Sequence, residues 1–196
     1  MVIAEIGSVH DGSLGNAKNL ISCAKKCGAS YVKFQMHIAS EETTRSAISP
    51  SYFKDENRFD YFFRTSFKLS EWKELIKYSK KNNIKFMCSV FSIKAIKNLI
   101  KLGVKNIKIP SGEITNIPLL NYISKFNVNI FLSTGMSDWN EINSAMKILK
   151  KRKLILMQCT SEYPCKIRNV GVNIITEMIE KYSKNYNCKF GFSDHT

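Results

Sequence analysis

The chain has 196 residues, of which 44% are hydrophobic and 23% are charged, and its formal net charge at pH 7 is +14. This length and apolar content suit a single globular domain with a sizeable core. No apolar run is long enough to cross a bilayer, and Glu5 interrupts the N-terminus before a signal-peptide pattern develops. We therefore expect a cytoplasmic protein that does not bind membranes.

The positive charge has more than one interpretation. Basic runs at residues 25–26, 80–81 and 150–153 fall at predicted helix C-termini, where cations complement the helix dipole. A basic protein that binds RNA or another anion without catalysis is the alternative. Because the lysines are spread along the chain, we favour the helix-end interpretation and expect no nucleic-acid partner. The six cysteines lack zinc-finger spacing, and Cys23 and Cys27, one helical turn apart, predict core packing.

Short apolar runs alternate with amphipathic stretches, as in parallel strands joined by crossover helices. The first helical period follows Ser13, a predicted N-cap, and ends before Gly28. The connection from His37 to Lys68 has no clear helical period and carries many aromatic residues, among them Tyr52 and Phe53, which predicts a lid or binding element. Predicted strands cover residues 2–6, 31–35, 84–91, 106–109, 130–133, 154–159 and 189–193, and further helical periods cover 72–76, 96–100, 142–149 and 174–182.

Seven consecutive strand-helix steps favour an α/β fold of the (β/α)8 TIM-barrel type over an open doubly wound sheet. A complete barrel takes about 250 residues. The count therefore predicts one incomplete barrel domain over residues 1–196, truncated after about strand seven, with the last helices and strand eight absent.

Polar residues follow the apolar part of every predicted strand, at the end where barrel enzymes carry their active sites. On the second strand, Lys33 and Gln35 alternate with Val32 and Phe34, so the two sets face opposite sides. Two lysines among hydroxyl groups suit a phosphorylated or carboxylated substrate. Simpler explanations exist for single residues, such as an ion pair between Glu5 and Lys33. The candidate residues are Glu5, Lys33, Ser89, Lys108, Ser111, Glu113, Ser133, Ser161, Tyr163, Ser193 and His195.

Five segments, in this order on successive strand ends, resemble the sialic acid synthase family. They are Ile3-Ala4-Glu5-Ile6-Gly7-Ser8-Val9-His10-Asp11-Gly12, Val32-Lys33-Phe34-Gln35, Lys108-Ile109-Pro110-Ser111-Gly112-Glu113, Leu132-Ser133-Thr134-Gly135-Met136 and Gly191-Phe192-Ser193-Asp194-His195-Thr196. The family condenses phosphoenolpyruvate with N-acetylmannosamine or a related sugar to give a nonulosonic acid.

The resemblance implies roles for individual residues. Glu5 helps to orient phosphoenolpyruvate, Glu113 and Tyr163 hold the acyl-amino sugar, Asn57 matches a lid asparagine that reaches the sugar, and His195 matches a ligand of Mn²⁺. It also implies a second metal-binding histidine, a C-terminal antifreeze-like domain and a homodimer for the full-length protein, so we expect the 196 residues alone to be inactive. The residues implied to surround phosphoenolpyruvate are Lys33, Ser89, Lys108, Ser111, Ser133, Ser161 and Ser193.

One further enzymatic interpretation remains open at this point. Lys33 or Lys108 could form a Schiff base with a keto substrate, as in an aldolase on a similar barrel.

Overall fold

The computed structural model describes residues 1–49 and 56–196. The chain divides into two compact units, Met1–Val104 and Lys105–Thr196. Tyr52 and Phe53, part of the predicted lid, lie outside the described residues.

The described part of unit 1 contains three parallel strands, with β2 paired to both β1 and β3. The register sets Lys33 of β2 opposite Glu5 of β1, and Gln35 of β2 opposite Ser89 of β3. The elements are β1 (Ile3–Gly7), α1 (Leu14–Lys26), β2 (Tyr31–Met36), α2 (Ala39–Glu42), α3 (Arg58–Thr65), α4 (Leu69–Lys81), β3 (Lys85–Val90) and α5 (Ile93–Lys101).

Unit 2 contains four parallel strands paired in chain order. Short 3-10 helices at Ser111–Glu113 and Ile167–Asn169 follow β4 and β6. The elements are β4 (Asn106–Ile109), α6 (Ile117–Ile123), β5 (Asn129–Ser133), α7 (Trp139–Leu149), β6 (Lys153–Cys159), α8 (Ile174–Tyr182) and β7 (Cys188–Ser193).

The core of unit 1 is aromatic around β2. The Phe34 ring stacks on Phe86 at 5.4 Å between centroids and meets the Trp72 ring edge-on at 6.0 Å. Such pairs contribute about 0.5–1.5 kcal/mol each beyond the area they bury. This packing fixes β2 along its length, and with it the polar residues on the opposite face of the strand.

All seven predicted strands are confirmed, and no boundary differs from its predicted position by more than one residue. Ser13 caps α1 as predicted, since its Oγ accepts the Asn16 amide at 3.2 Å. The core prediction for Cys23 and Cys27 is wrong, because both are exposed and α1 buries Ala17, Ile21 and Ala24 instead.

Three helices, α2, α3 and α6, were not predicted. The short α6 has Pro118 in its first turn, a position that proline favours, and α2 has only four residues. Within the connection from 37 to 68, α3 has the sequence RFDYFFRT and buries only Phe62 and Thr65. Aromatic residues on all sides of α3 concealed its helical period.

Candidate active site

In unit 1, Lys33 is buried and joins two other candidate residues. Its Nζ donates to Ser89 Oγ at 3.0 Å and forms an ion pair with the Glu5 carboxylate. Lys33 retains only 5% exposure, whereas about half of the Glu5 side chain is open to solvent. The carboxylate and hydroxyl offset the cost of burying the ammonium group within β2.

Glu5 and Gln35 approach one another over Gly7. The β1–β2 register shifts between Glu5 and Gly7, and Gly7 has a φ of +52°. A Cβ at Gly7 would lie 3.4 Å from Glu5 Oε1 and 3.8 Å from Gln35 Oε1. A Cβ at these distances would be in ordinary contact with both groups, so it is the positive φ at this irregularity that favours glycine.

In unit 2, Lys108 is also buried, and its Nζ donates to Ser193 Oγ at 2.9 Å. Ser133 at the end of β5 is 1% exposed, and its Oγ has no hydrogen-bond partner among the described residues. An unsatisfied buried hydroxyl costs about 1–3 kcal/mol. A ligand oxygen at this strand end would remove that cost.

Gly135 brings two further candidate serines together. A Cβ at Gly135 would lie 2.8 Å from Ser111 Oγ and closer still to Ser161 Oγ, with the Cys159 carbonyl oxygen at 3.2 Å. Ser111 Oγ also donates to Cys159 Sγ at 3.4 Å. The hydroxyls of Ser111 and Ser161 therefore converge on one backbone position, which only glycine leaves open.

Glu113 and Tyr163 occupy loops of unit 2. Glu113 lies in the 3-10 helix after β4, where its Oε2 accepts the Asn116 side-chain amide at 2.7 Å. Tyr163 is largely exposed, and its hydroxyl lies 3.0 Å from His195 Nε2. Their predicted contacts with a sugar stay predictions.

His195 is oriented by the loop after β6. Its Nδ1 donates to the Thr160 carbonyl oxygen at 2.9 Å, and its Nε2 lies 3.0 Å from the Tyr163 hydroxyl. A backbone carbonyl on one ring nitrogen is the usual way to aim the other at a metal. Yet the described residues hold no group of three or more His, Cys, Asp or Glu side chains placed to bind a metal ion. The role of His195 as a metal ligand stays a prediction.

Asn57 caps α3. Its Oδ1 accepts the Asp60 amide at 2.9 Å, and its Nδ2 donates to Asp60 Oδ2 at 2.6 Å. The whole carboxamide is engaged within the helix end, so contact with a sugar would require Asn57 to exchange these bonds. Its predicted role remains untested.

Sequence reasoning gave no role to Gln35 or Cys159, which lie beside candidate residues. Gln35 shares the strand parity of Lys33, and Cys159 is paired in register with Ser193. Strand parity was the available signal for Gln35.

None of the helices in the described part of the chain has both the length and the apolar character to span a membrane.

Comparison with known proteins extends the fold and motif observations. Residues 20–196 match the family model described as the NeuB family. The chain is 37% identical to N,N'-diacetyllegionaminic acid synthase of Campylobacter jejuni over all of this chain and 60% of that protein. It is 29% identical to human N-acetylneuraminate-9-phosphate synthase over 99% of this chain and 55% of that protein. The chain thus spans little more than half the length of these relatives.

A solved structure agrees over the whole chain. The N-acetylneuraminic acid synthetase of Leptospira borgpetersenii, crystallised with citrate, has a TM-score of 0.87 at 29% identity and covers 100% of this chain and 65% of its own. The predicted fold class, a truncated TIM barrel, is confirmed by this match and by the parallel strand-helix order. The chain belongs to the NeuB family, the sialic acid synthase family that its strand-end motifs resemble.

Proposed function

We propose that the protein condenses phosphoenolpyruvate with an N-acyl amino sugar to form a nonulosonic acid and releases phosphate. The observation that carries the proposal is that two buried lysines, Lys33 and Lys108, each donate to a strand-end serine hydroxyl, at 3.0 and 2.9 Å. Buried ammonium groups beside hydroxyls favour an oxyanion ligand, because charge and directed hydrogen bonds act together there.

Lys33 and Ser89 supply one pair of donors to phosphoenolpyruvate, and Lys108 and Ser193 supply another. The unpaired Ser133 hydroxyl gains a partner when a substrate oxygen binds. Both lysines act where negative charge moves from the enol ester to the departing phosphate. Stabilisation by such prearranged groups costs no reorganisation during the reaction.

The sugar is assigned to the carboxylates and the phenol. Glu113 and Tyr163 bind its hydroxyl and acylamino groups, and Glu5, held by Lys33, orients the enol ester. The enol carbon forms the new carbon–carbon bond with the open-chain aldehyde. Water then adds to the resulting oxocarbenium carbon, and the carbon–oxygen bond to phosphate breaks.

A divalent cation, Mn²⁺ by family resemblance, would polarise the aldehyde oxygen when bound. Among the described residues His195 is the one assigned to it, through Nε2, with Thr160 fixing the tautomer. Tyr163 would leave Nε2 in that state and become available to the sugar.

The aldolase alternative is less well supported. Lys33 Nζ is engaged by the Glu5 carboxylate and by Ser89 Oγ, so attack on a carbonyl would require it to leave both partners. Reduction with borohydride would trap a covalent adduct in an aldolase and none in the synthase.

For the sugar, we propose a diacetamido compound rather than N-acetylmannosamine 6-phosphate. The chain shares 37% identity with a diacetyllegionaminic acid synthase and 29% with a neuraminate-9-phosphate synthase.

The test uses the full-length protein with phosphoenolpyruvate, Mn²⁺ and a panel of N-acylated hexosamines. We expect phosphate release only when a sugar is present, fastest with the diacetamido sugar, and full retention of ¹⁸O from the bridging position in the released phosphate. Lys26→Ala, at the exposed end of α1, serves as the control for Lys33→Ala and should keep full activity. Absence of phosphate release with every sugar would refute the proposal.

A further inference from the structure

Two exposed cysteines on α1 take no part in the proposed reaction. Cys23 and Cys27 are both free, and the Cys27 backbone amide donates to the Cys23 carbonyl oxygen at 2.9 Å. The two residues are therefore one helical turn apart and lie on the same face of the helix. A different face of α1 packs inward, through Ala17, Ile21 and Ala24. Packing thus does not account for the two thiols.

The spacing of the pair suits a bridging ion better than a disulfide. Residues four apart on a helix have Cβ atoms about 5–6 Å apart, whereas a disulfide needs Cβ atoms about 3.5–4.5 Å apart. Two collinear metal–sulfur bonds, each with the zinc–thiolate length of about 2.3 Å, span about 4.6 Å between sulfur atoms. Because helical side chains lean toward the N-terminus, the Cys27 thiol can reach back toward Cys23 by rotation about χ1. An ion can therefore bridge the pair without unwinding α1.

The helix that carries the pair is fixed against α4. Lys18 Nζ donates to Glu74 Oε1 at 2.5 Å, and Ser22 Oγ lies 3.0 Å from the Tyr78 hydroxyl oxygen. Two thiols on a fixed helix lose little conformational freedom when they bind an ion. The attachment of α1 to α4 therefore favours chelation by Cys23 and Cys27.

The charge beside the pair suits an anionic complex. Two thiolates and one monovalent cation together carry a single net negative charge. Lys25 and Lys26 lie between the two cysteines in sequence and are the basic residues of the last turn of α1. Their ammonium groups offset both this charge and the negative end of the helix dipole. Lys25 Nζ also donates to the Asn83 carbonyl oxygen at 3.1 Å, which holds this side chain at the same end of the helix.

The number of ligands selects the kind of ion. Over residues 1–49 and 56–196, no group of three or more His, Cys, Asp or Glu side chains is placed to bind a metal ion. Zn²⁺ takes four ligands in structural sites, and two thiolates would leave half of its positions to water. Cu⁺ prefers soft thiolate ligands and is satisfied by two of them in a line. The pair therefore matches Cu⁺ better than Zn²⁺.

We propose that Cys23 and Cys27 form a two-coordinate site for Cu⁺ on the surface of α1. Each thiol gives up its proton to solvent when the ion binds, and the ion stays in its monovalent state. The site goes beyond the proposed synthase function, because it uses none of the residues assigned to that reaction.

Differential alkylation of the full-length protein tests the site without any substitution. Ag⁺ serves as the probe, because it shares the thiol preference and linear coordination of Cu⁺ but resists oxidation by air. One molar equivalent should protect Cys23 and Cys27 together from iodoacetamide, measured for each cysteine by peptide mass spectrometry. Cys188, which is partly exposed on β7, is the internal comparison and should stay reactive. Protection of neither α1 cysteine, or of one alone, would overturn the proposal.

Single substitutions measure the advantage of having both ligands. Cys23→Ser and Cys27→Ser should each bind Cu⁺ about a hundredfold more weakly than wild type, because the second thiolate no longer acts at high effective concentration. Anaerobic competition with the Cu⁺ chelator bicinchoninate measures the affinity. Both positions are exposed, so circular dichroism should show unchanged folding. Wild-type affinity in either variant would contradict chelation by the pair.

A matched control keeps the number of thiols and changes only their spacing. The double variant Cys27→Ser/Lys25→Cys has two thiols in α1, but residues two apart do not face each other on a helix. It should bind Cu⁺ as weakly as Cys27→Ser, and wild-type affinity would overturn the proposal. Phosphate release should be unchanged in every one of these variants. Failure of the copper site and failure of the proposed reaction are therefore separate results.

Discussion

β2 and β7 both carry candidate site residues, but the protein supports the two strands differently. Five of the six β2 residues are buried, and none of the six β7 residues is. The side chains of β2 are fixed by packing around Phe34. The residues at the end of β7 are fixed by polar contacts, from Lys108 to Ser193 and from His195 to Thr160 and Tyr163.

The difference separates two ways of holding a catalytic group. A charge placed on a buried strand, such as Lys33, is costly to bury and costly to leave without its partners. A hydroxyl on a partly exposed strand, such as Ser193, is inexpensive to place and can be replaced in part by water. We therefore expect changes on β2 to have larger effects than matched changes on β7.

The largest expected effect is on catalysis. Lys33→Ala removes a buried cation from the site proposed for phosphoenolpyruvate, so kcat/KM for phosphoenolpyruvate should fall about a thousandfold. Ser193→Ala removes one hydrogen bond that the Lys108 ammonium group donates but leaves the charge in place, so it should cost about thirtyfold. Steady-state phosphate release measures both. Equal losses would contradict the distinction between the strands.

The next effect is on folding. Phe34→Ala empties a fully buried aromatic site and should lower the free energy of unfolding by about 4 kcal/mol. Phe190→Ala on β7 removes a partly exposed ring and should cost about 1–2 kcal/mol. Urea denaturation followed by circular dichroism gives both values. A larger loss from Phe190→Ala would reverse the ranking of the strands.

Much of this contrast could be predicted from the sequence. The alternation of Lys33 and Gln35 with Val32 and Phe34 identified both the strand and its polar face, because a strand's side chains have a period of two. The ion pair between Glu5 and Lys33 was foreseen as an alternative to a substrate contact. These features depend on residues that are neighbours in the sequence, so the sequence alone predicts them.

Contacts that depend on residues distant in the chain could not be predicted. Nothing near His37 in sequence indicates that Phe62 and Phe91 will enclose its ring. The convergence of Ser111 and Ser161 on Gly135 likewise depends on strands from three separate segments. The pairing of side chains across elements is set by tertiary packing, which periodicity does not encode.

His10 packs close to β2, and its pKa differs between the folded and the unfolded chain. His10 is buried against Phe67, with 4.4 Å between ring centroids, and Nδ1 accepts the Gly12 amide. Burial lowers the pKa of His10 to about 4, despite the opposing carboxylate of Asp11. Between pH 6.5 and pH 4, His10 is therefore protonated in the unfolded chain, where its pKa is 6.5, but neutral in the folded protein.

Stability should therefore fall as pH drops from 6.5 to 4, by about 3 kcal/mol from this residue, and the full contribution is present above pH 6.5. His10→Phe should remove that part of the pH dependence, measured by urea denaturation at pH 7 and pH 4.5. Ser13→Ala, in the same loop and without a titrating group, should retain it. Parallel pH profiles for wild type and His10→Phe would show that His10 is not the source.

The smallest expected effect compares one helix start in each unit. At α7, Asp138 Oδ1 accepts hydrogen bonds from the backbone amides of Asn140 and Glu141 at 2.7 and 2.9 Å. Glu141 Oε2 in turn accepts one from the Asp138 backbone amide. At α1, Ser13 accepts one amide at 3.2 Å. Because Asp138 satisfies two donors and adds a negative charge at the positive end of the helix dipole, Asp138→Ala should cost about 1.5 kcal/mol, against about 0.5 kcal/mol for Ser13→Ala. Thermal unfolding resolves this difference, and added salt should narrow it, since only the Asp138 contribution contains a screened charge.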